Sequence, residues 1–351
     1  MDKNPKKLEL KLKNIGYIKE ANIDVSGLTI IAGKNSMGKS TVGKALMAII
    51  KARNIADNHL NRGEQQNIEY LREKHLNMMI ELLFDSEISR KGKISFSVNG
   101  KEHYAVDIKS HKCEDFNADI KAAKEKEFLD CTFIQTPLIW DLAEFFETTL
   151  IMKENSSIYD NNFEIKYPYV LWDLFTKFRV KALDFEYREE PLHDIKKEII
   201  KVIGGKFMKE EGKTYRFYSA DGQDISLKNV AVGIKSFGII QVLLDKNRFT
   251  PQGYFVFDEP ENHLHPTWQL ALAEILVILA KNGIRIMINT HSPYMLEALD
   301  KYSKKHNAYT KFYLADKGIV QQINGSNAGT LEEIFKKLNE PFKIFDEMEN
   351  K

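Results

Sequence analysis

The sequence predicts an α/β fold with a parallel central sheet, on the evidence of three short apolar segments. Residues 27–32, 254–259 and 284–289 each read as a buried strand, and the second follows turn residues at 251–253. Runs of bulky apolar residues bounded by turns are typical of parallel strands whose two faces are both covered. Ligands of such sheets bind at the carboxyl ends of the strands, so the residues that follow each run are the candidate functional residues.

The segment after the first predicted strand fits the phosphate-loop pattern G-x-x-x-x-G-K-[ST]. Its residues are Gly33, Lys34, Asn35, Ser36, Met37, Gly38, Lys39, Ser40 and Thr41. Residues 41–50 have helical apolar spacing, so strand, loop and helix would surround an anion with backbone N–H groups. Lys39 would reach the β and γ phosphates, and the Ser40 hydroxyl would bind Mg²⁺. The alternative is a chance loop, which the correct flanking elements disfavour, so nucleoside triphosphate binding is predicted.

Two carboxylates, Asp258 and Glu259, end the second predicted strand. Asp258 would hold the metal directly or through water. Glu259 would be the general base, because a carboxylate beside a cation and a polyphosphate can orient and deprotonate a water molecule. The alternative is a pair of surface acids that cap the helix beginning at Pro266.

A histidine, His291, follows the third predicted strand directly after Thr290. Its position predicts an imidazole near the γ-phosphate, a role suited to a group whose charge changes near neutral pH. Taken alone, a histidine there would more often lie at a helix N-terminus or on the surface.

The order of these motifs resembles the ABC-type ATPase heads of the RecF/SMC/OLD group. The acidic segment is similar to the D-E-P-E-x-H-L-H-P segment of stand-alone, OLD-like bacterial ATPases. Its residues are Asp258, Glu259, Pro260, Glu261, Asn262, His263, Leu264, His265 and Pro266. Residues 8–23 also resemble the first strands of that family, and the resemblance extends over the first fifty residues and roughly 224–323. It implies an α/β P-loop NTPase of ABC-ATPase type, with a mixed central sheet, an antiparallel β lobe and a helical lobe.

The resemblance also implies two further site elements. Residues 132–137 look like the strand that ends in the Q-loop, so Gln135 would touch Mg²⁺ or the attacking water. Residues 229–236, which we call the signature segment, occupy the place of the ABC signature, where Gly233 and Lys235 fit. Val232 stands where the family has a serine, and a valine cannot donate a hydrogen bond to a γ-phosphate. Asn229, Ser236 or backbone N–H groups are the expected substitutes.

One two-lobed head over residues 1–351 is predicted. Within it, residues 52–128 form an edge of the first lobe, 138–203 a helical insertion, and 324–351 a C-terminal tail helix. Hairpins are predicted around Asn99-Gly100 and Asp221-Gly222, because Asn-Gly and Asp-Gly favour tight turns. A charged helix face is predicted at 120–128, two edge strands at 311–314 and 319–323, and a Thr330/Glu333 capping box at the start of the tail helix.

Composition favours a cytoplasmic protein. The chain has 351 residues with 51 Lys and Arg against 50 Asp and Glu, so no basic surplus indicates nucleic acid, although local patches are not excluded. Its two cysteines, Cys113 and Cys131, have no metal-type spacing and are expected to be reduced. The N-terminal lysines are not followed by an apolar stretch, and no apolar run is long enough to span a bilayer.

The resulting hypothesis is an ATP- and Mg²⁺-binding head that forms a homodimer through an ATP sandwich and hydrolyses ATP slowly. The resemblance implies a sensor or regulator in a bacterial antiphage or toxin-like system. The residues after 323 are too few for the Toprim nuclease domain of OLD proteins, so a separate effector protein is expected. The alternatives are a RecF-like ATPase that clamps DNA for genome maintenance and, less favoured, a transporter's nucleotide-binding subunit.

Overall fold

The computed structural model describes residues 6–61, 67–85, 88–89, 91–118, 129–159, 168–180, 189–209 and 214–340. The strands are β1 (Leu8–Ile15), β2 (Ile18–Asp24), β3 (Leu28–Ala32), β4 (Lys91–Val98), β5 (Lys101–Lys109), β6 (Lys112–Ala118), β7 (Asp130–Ile134), β8 (Gly205–Lys209), β9 (Tyr215–Ser219), β10 (Asp224–Ser226), β11 (Gly253–Asp258), β12 (Arg285–Thr290), β13 (Thr310–Asp316) and β14 (Ile319–Gln321). The helices are α1 (Lys39–Asn61), α2 (Ile68–Phe84), α3 (Ile139–Tyr159), α4 (Tyr169–Arg179), α5 (Glu189–Ile203), α6 (Val232–Asp245), α7 (Pro266–Lys281), α8 (Pro293–His306) and α9 (Asn327–Leu338). Short 3₁₀ turns lie at Leu227–Asn229 and Ile323–Gly325.

A mixed sheet of 11 strands forms the centre of the molecule, in the order β6-β5-β4-β1-β2-β14-β13-β3-β12-β11-β7. The strands from β13 to β7 are parallel to one another, whereas β4, β5, β6, β1 and β2 pair antiparallel with their neighbours in the outer half. A separate sheet of 3 strands, in the order β10-β9-β8, contacts helices α5 and α6 through β8.

The parallel strands are buried on both faces, as their apolar sequences predict. Phe255 and Phe257 of β11 belong to a core formed with helices α3 to α8, whereas Tyr254 and Val256 belong to a second core with α1 and α2. Because alternate strand residues point to opposite faces, a strand between two cores is apolar at most of its positions. Each core therefore anchors the sheet from one side, and the carboxyl ends of the parallel strands are held in fixed positions.

Most of the predicted elements are confirmed. The hairpin of β4 and β5 turns at Asn99 and Gly100, which have φ values of 49° and 79°. A two-residue type I′ hairpin turn requires positive φ at both of these positions. The second hairpin joins β9 and β10. Residues 138–203 include α3, α4 and α5, while their assignment as an insertion stays a prediction. The helix predicted from residue 41 begins two residues earlier, at Lys39. The charged segment at 120–128 lies outside the described residues.

The two predicted edge strands are a wrong prediction, since both lie inside the sheet. β13 pairs with β3 and β14, and β14 pairs in turn with β2. The short parallel pairing of β14 with β2 joins the antiparallel half to the parallel half, so neither strand has a free edge. Pairing between strands about 300 residues apart in the chain is not encoded in the local sequence of either strand.

The predicted capping box is also wrong. Helix α9 begins after Ser326, whose side chain accepts a hydrogen bond from the Gly329 backbone N–H. Thr330 lies within the helix, where its hydroxyl donates to the Ser326 carbonyl and accepts from the Ile323 N–H. Two serine or threonine residues four positions apart offer competing caps, and the one that begins the helix is Ser326. Among the residues that the structure describes, no helix is both long and apolar enough to cross a membrane.

Candidate nucleotide site

The register of the parallel strands brings the predicted site residues to one edge of the sheet. Asp258 pairs with Asn289, Phe257 with Ile134, and Ala32 with Thr290. Because paired residues lie side by side, the residues that follow these strands emerge together. Gly33, Gln135, Glu259 and His291 are therefore neighbours, although 258 positions separate the first from the last.

Residues 33–41, the phosphate loop, pass close to the rest of the protein at two glycines. A Cβ atom on Gly33 would lie 2.3 Å from the Ala315 carbonyl oxygen of β13. Gly38 has a φ of 88°, and a Cβ there would lie 2.5 Å from Ile18 Cδ1. A side chain at Gly33 would clash with rigid backbone, and one at Gly38 would be strained in the left-handed region. The shape of the loop therefore favours glycine at both positions.

Lys39 is held below this loop. Its Nζ donates hydrogen bonds to the carbonyl oxygens of Gly33 at 3.0 Å and Lys34 at 2.9 Å, and lies 3.7 Å from Glu259 Oε1. Burial lowers the pKa of the Lys39 ammonium, while Glu259 and Asp258 oppose that shift. A positive charge buried at the first residue of a helix has a strong need for an anionic partner, which a phosphate group would supply.

Ser40 and Asp258 provide two oxygen atoms where Mg²⁺ is expected. The Ser40 hydroxyl donates to Asp258 Oδ1 at 3.0 Å, and Asn289 Nδ2 donates to the same oxygen at 2.7 Å. Burial raises the pKa of the Asp258 carboxyl, whereas the bonds from Asn289 and Ser40 lower it. Hydroxyl and carboxylate oxygens suit Mg²⁺, which uses one or two carboxylates together with substrate phosphates. In the described part of the chain no group of three or more His, Cys, Asp or Glu could hold a metal.

Glu259 has an unusual backbone conformation, with a φ of 51°. Its N–H donates to the Asn289 carbonyl at 2.9 Å, which extends the contact between β11 and β12 by one residue. A glutamate in the left-handed region costs conformational energy, and such residues cluster at functional sites. The turn directs the carboxylate toward Lys39 and His291, whose Nδ1 lies 3.2 Å from Glu259 Oε1.

Glu261, two residues further on, is a buried carboxylate that sequence reasoning gave no role. Its Oε1 accepts hydrogen bonds from the Thr290 hydroxyl at 2.6 Å, the His291 N–H at 3.0 Å and the Ser292 N–H at 3.3 Å. Burial raises the pKa of this carboxyl, against the effect of those donors. A glutamate in a polar segment gives no sequence signal of such contacts, because they depend on strand β12.

Two cavities meet at Glu259. One, of about 350 Å³, is lined by the phosphate loop from Ser36 to Thr41, by Glu259 and by Tyr17. Tyr17 lies at the turn between β1 and β2 and was not identified from the sequence, since nothing in its local pattern connects it with residue 38. We call this cavity the nucleotide pocket. Its exposed tyrosine ring gives it an aromatic wall beside the phosphate loop.

The second cavity, of about 240 Å³, lies on the other side of Glu259. Its polar lining includes Gln135, Ser236, Asp258 and Asn262, and its apolar lining includes Phe257. Gln135 thus lines the same cavity as both acidic residues. Its contact with a metal or water stays a prediction.

The signature segment lies at the start of α6, and its residues differ in accessibility. Asn229 ends a 3₁₀ turn, and Val232 is exposed at the first helical position. Lys235 is buried, and its Nζ bonds Asp141 Oδ1 at 2.7 Å, so its charge is engaged by α3. A Cβ on Gly233 would lie 3.0 Å from the Trp268 ring, which gives that glycine a packing reason. Nucleotide contact by Asn229, Gly233 and Lys235 remains a prediction.

Lys34, the second residue of the phosphate loop, contacts the C-terminal region. Its Nζ lies 2.5 Å from Glu340 Oε2, just beyond the end of α9. Both side chains are about half exposed, so this ion pair contributes little to stability.

Comparison with known families agrees with this geometry. Residues 28–297 match the family described as "AAA domain, putative AbiEii toxin, Type IV TA system". The match spans well over half of the chain and includes the phosphate loop, the acidic turn and His291. The chain belongs to this family. No curated protein sequence matches it closely enough to count as a relative.

Solved structures identify the fold. A structure of an SMC head bound to the C-winged helix domain of ScpA is 14% identical, with 93% of this chain and 98% of that one covered and a TM-score of 0.51. The SMC head domain from Thermotoga maritima is 14% identical over 91% of this chain and 98% of that one, with a TM-score of 0.46. An ABC transporter's ATP-binding cassette in its ADP conformation is 16% identical over 96% of both chains, with a TM-score of 0.42. The SMC head with a TM-score of 0.51 shows that the chain has the α/β fold of an SMC head, with a large mixed sheet and helices.

Proposed function

We propose that this protein binds ATP with Mg²⁺ and hydrolyses it, with Glu259 as the general base. Lys39 and the backbone of the phosphate loop bind the phosphates, and Ser40 and Asp258 hold the metal. Bound Mg²⁺ would neutralise part of the charge on the β and γ phosphates. Gln135, which lines a cavity together with Glu259, and His291, whose Nδ1 lies 3.2 Å from Glu259 Oε1, orient the attacking water and the γ-phosphate.

One observation carries this proposal: the Glu259 carboxylate faces both the phosphate-binding lysine and the histidine. Its Oε1 lies 3.7 Å from Lys39 Nζ and 3.2 Å from His291 Nδ1. A base must lie within reach of the reacting group, and a water molecule between Glu259 and a phosphate held by Lys39 meets that condition. Asp258 is hydrogen-bonded to Ser40 and Asn289, which leaves the base role to Glu259.

The direct experiment measures ATP binding and turnover of purified Glu259→Gln protein. Glutamine keeps the size of the side chain but cannot accept a proton, so we expect binding to persist and kcat to fall about 10²-fold or more. Glu297→Gln is the matched control, because Glu297 is an exposed carboxylate of α8 that pairs with Lys301. Wild-type turnover in the Glu259→Gln protein would assign the base to another residue.

We further propose that ATP joins two copies of the chain. The N-terminus of α6 has no side-chain cap, since Ala231 precedes it and its side chain cannot accept a hydrogen bond. Uncapped N–H groups at a helix start attract a phosphate, and the exposed Val232 beside them leaves the approach open. This terminus is suited to meet the nucleotide bound by a partner copy even though Val232 lacks a hydroxyl.

The biological role that we propose is that of a nucleotide-dependent switch in an OLD-like antiphage or toxin–antitoxin-like system. The family description, with its mention of a toxin–antitoxin system, supports this assignment. A switch acts by presenting different surfaces in its nucleotide states, which requires a partner protein that binds those states unequally. Affinity purification from the native operon with ATP and with ADP tests this role. We expect an effector protein to co-purify in one nucleotide state more than in the other, and equal recovery in both would contradict a switch.

A further inference from the structure

The turn from β12 to α8 is held by a single buried oxygen atom. Glu261 Oε1 accepts three hydrogen bonds, from the Thr290 hydroxyl and from the backbone N–H groups of His291 and Ser292. Glu261 is only 4% exposed and Thr290 is fully buried. Three donors on one oxygen fix the backbone on both sides of the His291 Cα, and therefore the direction in which the imidazole leaves the chain.

The imidazole of His291 lies between two carboxylates. Its Nδ1 is 3.2 Å from Glu259 Oε1 and 3.7 Å from Glu261 Oε1. The Ser292 hydroxyl adds a second anchor, since it accepts from the Met295 N–H and donates to Gln269. The distance between His291 and Glu259 is thus set by groups that do not themselves line the nucleotide pocket.

A purely structural role explains this arrangement poorly. A buried carboxylate carries a large desolvation cost, and an apolar side chain of similar volume is often at least as stabilising. The second oxygen, Oε2, is buried and has no hydrogen-bond donor among the described residues. An acidic group at this position therefore destabilises the fold. What its hydrogen bonds provide is a fixed position for His291.

We propose that Glu261 is a positioning residue that holds His291 against Glu259. The proposal rests on the proposed hydrolysis of ATP, in which Glu259 is the base. Glu261 itself contacts neither phosphate nor water in this account, and it acts only through the His291 turn.

The test is a double-mutant cycle on ATP turnover. We expect Glu261→Ala to lower kcat about tenfold or more with little change in KM, because small misplacements of catalytic groups have effects of that size. In the His291→Ala background the same substitution is expected to have almost no further effect, since residues that act through one another are not additive. Glu261→Gln, which keeps an acceptor oxygen, is expected to recover most of kcat.

Two further variants separate positioning from folding. Thr290→Val removes one hydrogen-bond donor to Glu261 and preserves the shape of the side chain. It is expected to lower kcat as Glu261→Ala does, and it takes the place of Glu261→Ala in the test if that variant does not fold. Glu274→Ala is the matched control, because Glu274 on α7 also pairs with a histidine. Its Oε1 lies 3.1 Å from Nε2 of His306, the last residue of α8, outside the nucleotide pocket. It is expected to leave kcat unchanged.

An independent readout uses the imidazole NMR signals of His291, assigned by their loss in His291→Ala. They are expected to shift in Glu261→Ala and Thr290→Val and to stay in place in Glu274→Ala. Equal losses of kcat in the wild-type and His291→Ala backgrounds, or unmoved imidazole signals, would overturn the positioning role. A wild-type protein without ATPase activity would instead refute the proposed function, and the imidazole signals would still decide whether Glu261 positions His291.

Discussion

Asp258 and Lys39 are opposite charges buried at the same edge of the sheet, and each is only 4% exposed. Burial raises the pKa of the Asp258 carboxyl and lowers that of the Lys39 ammonium, so both groups are shifted toward their neutral forms. The folded protein without nucleotide therefore holds two charges in an unfavourable environment. A phosphate beside Lys39 and a cation beside Asp258 would each add a partner of opposite charge, which couples ligand binding to stability.

We expect Asp258→Asn to raise the melting temperature of the nucleotide-free protein at neutral pH. Because the folded pKa of Asp258 lies above its unfolded value, the penalty is present above the folded pKa and disappears as pH falls toward the unfolded value. The stabilisation should therefore shrink as pH falls into the usual range of an aspartate, about 4. Thermal melts at several pH values measure this difference.

The same variant is expected to lose Mg²⁺-dependent ATP hydrolysis, since an amide is a weaker ligand for Mg²⁺ than a carboxylate. Asp300→Asn is the control, because Asp300 on α8 forms an exposed pair with Lys304 and lies outside the site. A lower melting temperature for Asp258→Asn at neutral pH would contradict the argument from burial.

At the residue scale, the sequence predicts the groups whose chemistry requires a fixed local pattern. Lys39, Ser40 and Asp258 come together as expected because the motif and the strand end are each continuous in sequence. Glu261 and Tyr17 could not be predicted, since their roles depend on contacts with β12 and with the phosphate loop. The local sequence around a glutamate does not show that its carboxylate is buried, because the burial depends on contacts with a neighbouring strand.

Among the elements, α4 is joined to α1 and β7 by a cluster of two lysines and two aspartates. Lys177 of α4 donates to Asp173 Oδ2, Thr132 Oγ1 and the Cys131 carbonyl. Lys51 of α1 lies 2.5 Å from both Asp130 and Asp173. Burial alone would lower the pKa of Lys51, but the two aspartates outweigh it and hold that pKa well above its usual value. The cluster links α1, which begins in the phosphate loop, with β7, which leads to Gln135, and with α4.

Lys177→Met is expected to lower the free energy of unfolding by about 3 kcal/mol, the cost of removing one partner from a buried ion pair. Lys197→Met is the matched control, since Lys197 on α5 is exposed and its pair with Asp194 spans 3.4 Å. We expect the control to change stability by less than about 0.5 kcal/mol. Urea unfolding of both variants measures the difference, and equal effects would show that the cluster does not stabilise the junction.

The elements that the sequence predicts correctly are those specified by neighbouring residues. Asn99-Gly100 sets its own turn geometry, and the apolar run of β11 requires two covered faces. β13 was assigned to an edge because its pairing with β3 is set by tertiary structure. Strand β8 was also missed, although it pairs antiparallel with β9, the next strand along the chain.

Considered as a whole, the molecule has a nucleotide pocket that opens to solvent and an exposed helix start that carries no cap. Tyr17 at the pocket and Val232 at the start of α6 are both apolar and exposed, at 53% and 42%. Exposed apolar groups beside polar binding surfaces are typical of interaction sites. In the proposed dimer the pocket of each copy would meet the α6 start of the other, and the bound ATP would connect them.

We expect Glu259→Gln protein to form a dimer with ATP and to remain a monomer with ADP, because the slow variant keeps the γ-phosphate that the α6 start would contact. Light scattering at micromolar concentration distinguishes the two states. Lys39→Ala should stay monomeric with either nucleotide, and a strictly monomeric Glu259→Gln protein with ATP would refute the sandwich.

Val232→Ser, made in the Glu259→Gln background, tests which surface the nucleotide contacts. The new hydroxyl can donate to a phosphate oxygen, and one hydrogen bond to a charged acceptor is worth about 1.5 kcal/mol or more. The proposed dimer contains this contact twice, so the ATP-bound dimer should be roughly a hundredfold tighter. Val180→Ser is the control, since Val180 directly follows α4 and is also an exposed valine, at 61%. If both serine variants change dimer affinity alike, the gain comes from general surface polarity, and contact between the α6 start and the partner's nucleotide is contradicted. If only Val232→Ser tightens the dimer, the valine at this position weakens the ATP-bound dimer. A weaker dimer suits a switch whose two copies must also separate.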